Sequence, residues 1–239
     1  MKIVFISDKL PPAVDGVGDY TYFLGEEFAI TEHEVHVVCA TLDTLDAEVT
    51  QSMQVHPVVS KWNQAGIRQA IQCIQAIQPD WVLLQYVPYS FSNTGTPWEM
   101  RYLATELKKL GIPMCTTFHE VCIRLKFNNL KTLIRGLSQR LIARSIAKQS
   151  VKNITSIDFY VNYLRQWTSQ VQQIQIGSNI PPVLCTDKEL TQLRQSITPN
   201  GEFLIATFGK RDHVALLRLF KKLITTHPNC KLLICGKNA

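Results

Sequence analysis

Lys2-Ile3-Val4-Phe5-Ile6-Ser7, followed by Asp8-Lys9-Leu10-Pro11-Pro12-Ala13-Val14 and then Asp15-Gly16-Val17-Gly18-Asp19-Tyr20, is the stretch that decides the fold. A strand that is apolar at every central position is covered on both faces, the mark of a parallel sheet flanked by helices. Two prolines break the chain after it, and two glycines lead into a helical stretch over Tyr20–Ala29 with Phe23, Leu24 and Phe28 on one side. Strand, loop and helix in that order make the first half of a βαβ unit.

Working outward, the same alternation repeats. Glu34–Ala40 and Gln54–Val59 read as further strands, and Ile67, Ala70, Ile71, Ile74 and Ile77 as a helix that Pro79 ends. Trp81–Tyr86 is the next strand. Thr96-Pro97-Trp98-Glu99 then offers an N-cap, a proline at the first helical position and a glutamate at the third. That helix carries Leu103, Leu107 and Leu110 inward and closes at Gly111, and Ile112–Phe118 is a strand ending on His119-Glu120. A basic helix spans Leu130–Val151, Ile154–Ile157 is a short strand, and a short helix runs to Trp167.

Gly177-Ser178-Asn179-Ile180-Pro181-Pro182 is a breaker cluster that predicts a crossing between domains. After a polar helical stretch, Phe203–Phe208, His213–Thr226 and Lys231–Cys235 form one more β-α-β unit. The expected fold is therefore α/β: a Rossmann-like parallel sheet over residues 1–176, a linker over 177–202, and over 203–239 the start of a second, incomplete Rossmann-like domain.

With 46% hydrophobic and 18% charged residues, the chain has ample material for a core, and its longest apolar runs suit a strand rather than a bilayer. The short apolar start followed by Asp8 is no signal peptide, so a cytoplasmic protein is expected. Its seven cysteines are scattered without a CxxC, which predicts neither a disulfide nor a metal site. The net charge of +6 is uneven: between Glu120 and Asp158 there is no acid but eight cations, so the remainder is net −2. Arg135, Arg140, Arg144 and Lys148, interleaved with Leu137, Leu141, Ile142 and Ile146, predict an amphipathic helix with a cationic face. Such a face is either simply solvated or a contact for an anionic surface. No aromatic residues for base stacking are interleaved, so lipid headgroups suit it better than nucleic acid.

The glycine-rich turn before a helix lets a backbone approach a ligand and offers N–H groups to an anion. It is not a dinucleotide fingerprint. Gly16 lies nine residues past Ser7, Thr21 stands where a third glycine belongs, and the second strand ends Cys39-Ala40 with no acid. No nucleophile elbow or Walker loop occurs. His119 sits at the carboxyl end of a parallel strand, where open α/β sheets bind ligands, and is placed to donate to a sugar hydroxyl or a carbonyl. Glu120 beside it serves equally as a proton acceptor or as a cap for the next turn.

These motifs, in order, resemble the N-terminal part of the family 4 (group 1) glycosyltransferases of GT-B architecture. The resemblance rests on Lys2–Ser7 with Pro11-Pro12 and Asp15–Thr21, on Gln78-Pro79-Asp80-Trp81-Val82, on Gly111-Ile112-Pro113 through Thr117-Phe118-His119-Glu120, on Ile176–Pro181, and on Thr207-Phe208-Gly209-Lys210 with Leu232–Gly236. It implies a retaining, metal-independent transferase that uses a nucleotide-sugar as co-substrate, needs no cofactor, and takes a sugar, lipid-linked or small-molecule acceptor. It places Gly16, Val17 and Gly18 near donor diphosphate and acceptor, His119 at the transferred sugar with Glu120 beside it, and Gly209, Lys210 and Arg211 toward the donor. Asp15 replaces one of a common glycine pair, and Val214-Ala215 stands where the family carries Lys-Gly. The family's paired-glutamate motif falls beyond residue 239, so the expectation is a transferase that is inactive or incomplete over this stretch. The alternative is a non-catalytic Rossmann-like module that binds an acceptor or an anionic membrane surface.

Overall fold

The computed structural model describes residues 1–41, 47–125, 129–178, 183–209 and 213–236. The chain divides into two units, Met1–Asn179 and Ile180–Ala239. The first is built on β1 (Lys2–Ile6), α1 (Gly16–Ile30), β2 (Glu34–Ala40), α2 (Ala47–Ser52), β3 (Gln54–Val59), α3 (Gln64–Ile77), β4 (Trp81–Tyr86), α4 (Glu99–Lys109), β5 (Met114–Phe118), α5 (Leu130–Gln149), β6 (Lys152–Thr155), α6 (Asp158–Leu164) and β7 (Val171–Gln173). Its seven strands are all parallel in the order β3-β2-β1-β4-β5-β6-β7.

Alternation along each strand builds two cores. Ile3, Phe5, Val35, Val37 and Cys39 face one side, where Leu24 and Phe28 of α1 and Met53, just after α2, cover them. Val4, Ile6, Val38, Val82 and Leu84 face the other, under Ile67 and Ile74 of α3, Leu103 and Leu107 of α4, and Ile142 and Ile146 of α5. The helices thus change side between β1 and β4, so the carboxyl ends of those two strands flank the topological switch point, where doubly wound sheets bind ligands.

Several sequence expectations change in detail. Helix α1 begins at Gly16 rather than Tyr20, because Asp15 in extended conformation caps it. Tyr22 joins Leu24 and Phe28 inside while Phe23 points outward. Thr96 does not cap α4; its hydroxyl bonds that of Thr94 at 2.8 Å, and the chain enters the helix through short turns, Trp98 N–H to Thr96 O and Met100 N–H to Pro97 O. Helix α2 and edge strand β7 were not anticipated, and β6 lies at Lys152–Thr155, two residues earlier than expected.

The second unit contains α7 (Asp187–Ile197), β8 (Phe203–Phe208), α8 (His213–Thr226) and β9 (Cys230–Cys235), with β8 and β9 paired in parallel. Helix α7 carries a full capping box, Thr186 with Glu189, and is tied to this unit by Lys231 Nζ, which donates to Ile197 O at 2.8 Å.

Candidate functional site

The candidate site is the crevice at the switch point. Its floor comes from β1 and β4. Ser7, fully buried after β1, donates to Lys9 O and meets the Thr21 hydroxyl at 3.4 Å. Gln85, fully buried near the end of β4, puts its Oε1 2.9 Å from His119 Nε2, and its own Nε2 is buried without a partner. His119 follows β5 directly, held by a bond from its N–H to Tyr86 O. Its ring stands edge-on to Tyr20 of α1, 4.9 Å between centroids. Burial pushes the imidazole down to about 4, with Asp15 pulling modestly the other way, so the ring is neutral near pH 7. A neutral imidazole has one N–H. Here Nε2–H donates to Gln85 Oε1, which leaves Nδ1 as an acceptor. In that tautomer the ring presents an acceptor at Nδ1 rather than the donor suggested by sequence.

The first turn of α1 forms the adjoining wall. The Asp15 carboxylate accepts from Gly18 N–H at 2.8 Å. Gly16 and Val17, at the first two helical positions, have no intrahelical acceptor for their N–H groups. The two glycines do different work. A Cβ on Gly18 would lie 2.9 Å from Lys9 O, whereas one on Gly16 would meet nothing within 4 Å. Gly18 is there for packing and Gly16 borders open space. Because Asp15 already brings a negative charge to this helix end, the turn suits a neutral hydroxyl-rich group better than a diphosphate.

A cleft of about 490 Å³ is lined by Asp8, Trp62, Tyr89, Asn93 and Glu99, among others. Trp62 Nε1 donates to Asp8 at 2.7 Å, and its ring packs edge-on to Phe91 at 4.9 Å. Burial raises the Asp8 carboxyl above its usual range, a tendency the Trp62 bond opposes. An aromatic wall with amide and carboxylate groups around it is chemistry suited to a polyhydroxylated ligand. Neither Trp62 nor Gln85 was singled out from sequence, although a polar Gln at the end of the apolar run Trp81–Leu84 was a readable signal. In the second unit, a concavity of about 620 Å³ is walled by Phe203, Ile205, Leu223 and Cys230 together with Thr226, His227, Pro228 and Asn229.

The remaining expected residues are dispersed. Glu120 is exposed beside His119. Gly209 follows β8 with φ +89, a conformation that favours glycine, and its N–H donates to Cys235 O. Lys210 and Arg211, like 179–182 of the expected linker, lie outside the described residues. Arg135, Arg144 and Lys148 are exposed on α5. Arg140 differs: its guanidinium lies 5.1 Å from the Tyr163 ring centre and its Nε is buried, so it packs α5 against α6 and does not join the exposed cations. Among the described residues no group of three or more His, Cys, Asp or Glu is placed to hold a metal ion; His36 and His56 bond each other at 3.0 Å, and His36 bonds Glu34.

Fold and site together define a doubly wound α/β protein with a polar crevice at its switch point and a second β-α-β unit after it. No family model matches the chain, and no curated protein matches it in sequence. Solved structures do. The catalytic domain of starch synthase IV from Arabidopsis thaliana, bound to ADP and acarbose, is 13% identical with a TM-score of 0.60 over 99% of this chain and 68% of its own. An α-glucosyltransferase in complex with UDP and DNA gives 13%, 0.56, 99% and 67%. MnaA of S. aureus in a co-structure with UDP gives 12%, 0.55, 99% and 62%, so this chain spans less than two thirds of that protein's length. At such identities the likeness is one of fold alone.

Proposed function

We propose that the first unit carries the acceptor side, and the second unit groups for the donor, of a retaining, metal-independent glycosyltransferase that uses a nucleotide-sugar. The observation that carries this reading is the neutral His119, locked by Gln85 and set against the first turn of α1 at the switch point. Nδ1 of His119 and the N–H groups of Gly16 and Val17 would orient a sugar hydroxyl, and the Trp62–Tyr89 cleft would receive the acceptor. Gly209, Lys210 and Arg211 are assigned toward the donor by resemblance. The UDP and ADP bound to the structurally similar proteins above support a nucleotide-sugar partner.

Titration of imidazole-labelled protein with nucleotide-sugars and short oligosaccharides, read by NMR at His119, tests this. The reading expects the His119 resonance to move. It also expects His119→Ala to weaken binding about tenfold, one hydrogen bond's worth. Equal affinity in both proteins, or an unmoved resonance with every ligand, would overturn it.

A further inference from the structure

The sequence reading interleaved Leu137 and Leu141 with the cations of an amphipathic α5. They point out. Leu130, Ile134, Leu137 and Leu141 are 69%, 55%, 46% and 54% exposed, while Gly136, Gln139, Ile142, Ala143, Ile146 and Ala147 form the buried face. The exposed four stand at i, i+4, i+7 and i+11, one row along the helix. Arg144 and Lys148 continue that row, and Lys131 and Arg135 flank it. A helix with apolar residues on both faces calls for cover on both, and the sheet supplies only one.

We infer that this outer face of α5 docks on an anionic lipid surface, with the Leu/Ile half of the row entering the headgroup–acyl boundary and the cations meeting phosphates. Charge complementarity favours that occupant, because no acid lies between Glu120 and Asp158 to repel it. Shape does too. The row is a convex ridge of aliphatic side chains, without the tyrosine or tryptophan anchors that concentrate affinity in protein interfaces. Apolar residues span about 17 Å of it, enough to lie in an interface. Among the described residues no helix is long and apolar enough to cross a membrane, so the helix lies on the bilayer rather than through it. This inference is independent of the sugar-transfer reading.

The test is vesicle co-sedimentation of the full chain. Vesicles of phosphatidylcholine alone are compared with vesicles carrying about a third phosphatidylglycerol, from about 50 to about 500 mM salt. Binding is expected only with the anionic lipid and should fall as salt rises. Leu137→Glu/Leu141→Glu should lower the partition coefficient about tenfold or more, with thermal unfolding unchanged because both side chains are exposed. Arg135→Glu/Arg144→Glu should flatten the salt dependence. The inference is overturned if wild type fails to sediment with anionic vesicles at low salt or the leucine variant binds as well as wild type. It is equally overturned if ultracentrifugation shows a dimer lost in the leucine variant while vesicles are ignored, since a second copy would then own the face.

Discussion

Gly18→Ala should destabilise the first unit while Gly16→Ala, two residues away in the same helical turn, should not. The new Cβ at Gly18 would stand 2.9 Å from Lys9 O, 3.2 Å from Lys9 C and 3.4 Å from Leu10 Cα. All three are backbone atoms, and Leu10 is fully buried, so no side-chain rotation relieves the contact. Overpacking of this kind costs about 1–3 kcal/mol, offset by the ~1 kcal/mol by which alanine exceeds glycine as a helix former, for a net loss of up to about 2 kcal/mol. For a domain of this size that lowers Tm by up to about 8 °C. At Gly16 the Cβ enters open space, so only the favourable helix term, up to ~1 kcal/mol, remains. Urea titration of the three proteins with a common slope measures both values. If Gly18→Ala proves as stable as Gly16→Ala, the assignment of Gly18 to packing and Gly16 to the ligand side fails.

Two further outcomes follow from buried polar groups. Gln139 is fully buried, accepting from Ile123 N–H at 2.7 Å and donating to Gly95 O at 2.8 Å; Gln139→Leu orphans both backbone groups and should cost about 1–3 kcal/mol for each left buried, read by chemical denaturation. Burial holds the folded pKa of His119 at about 4 and that of His56 below its usual value, both under the unfolded ~6.5. The neutral forms are therefore favoured in the fold, so stability is full above about pH 6.5 and declines as pH falls toward 4. His119→Gln should shallow that acid limb in a pH series of Tm values, and an unchanged slope would contradict the burial of the ring.

The strands were legible because a parallel sheet covered on both sides demands uninterrupted apolar runs, and Ile3–Ile6, Val37–Ala40 and Trp81–Leu84 supply them. The polar edge strand Val171–Gln173 has no such run and was invisible. Helix α5 misled for a physical reason. Its eye-catching cations and leucines share the outer face, while on the buried face Ile142 and Ile146 are joined by small residues and one amide, Gly136, Gln139, Ala143 and Ala147, which hydrophobic patterning weights little. His119 was legible from its place at a strand end. Its available nitrogen was not, because that depends on Gln85 from a neighbouring strand, 34 residues away in sequence.

Gln139 also links the two proposals through the geometry of one helix. Its amide ties Ile123, in the segment between β5 and α5, and Gly95, in the segment between β4 and α4, to the buried side of α5. Both segments leave the carboxyl edge of the sheet, the edge that carries His119 and the Trp62–Tyr89 cleft. Because α5 starts from that same edge, its apolar half, Leu130 to Leu141, lies at the crevice end and Arg144 and Lys148 lie away from it. A lipid surface engaged by the apolar half is therefore presented beside the crevice, not behind it. An acceptor whose polar head enters the crevice while its apolar tail stays in the bilayer satisfies both arrangements at once. A freely diffusing acceptor would leave the position of the apolar row without a consequence for the site.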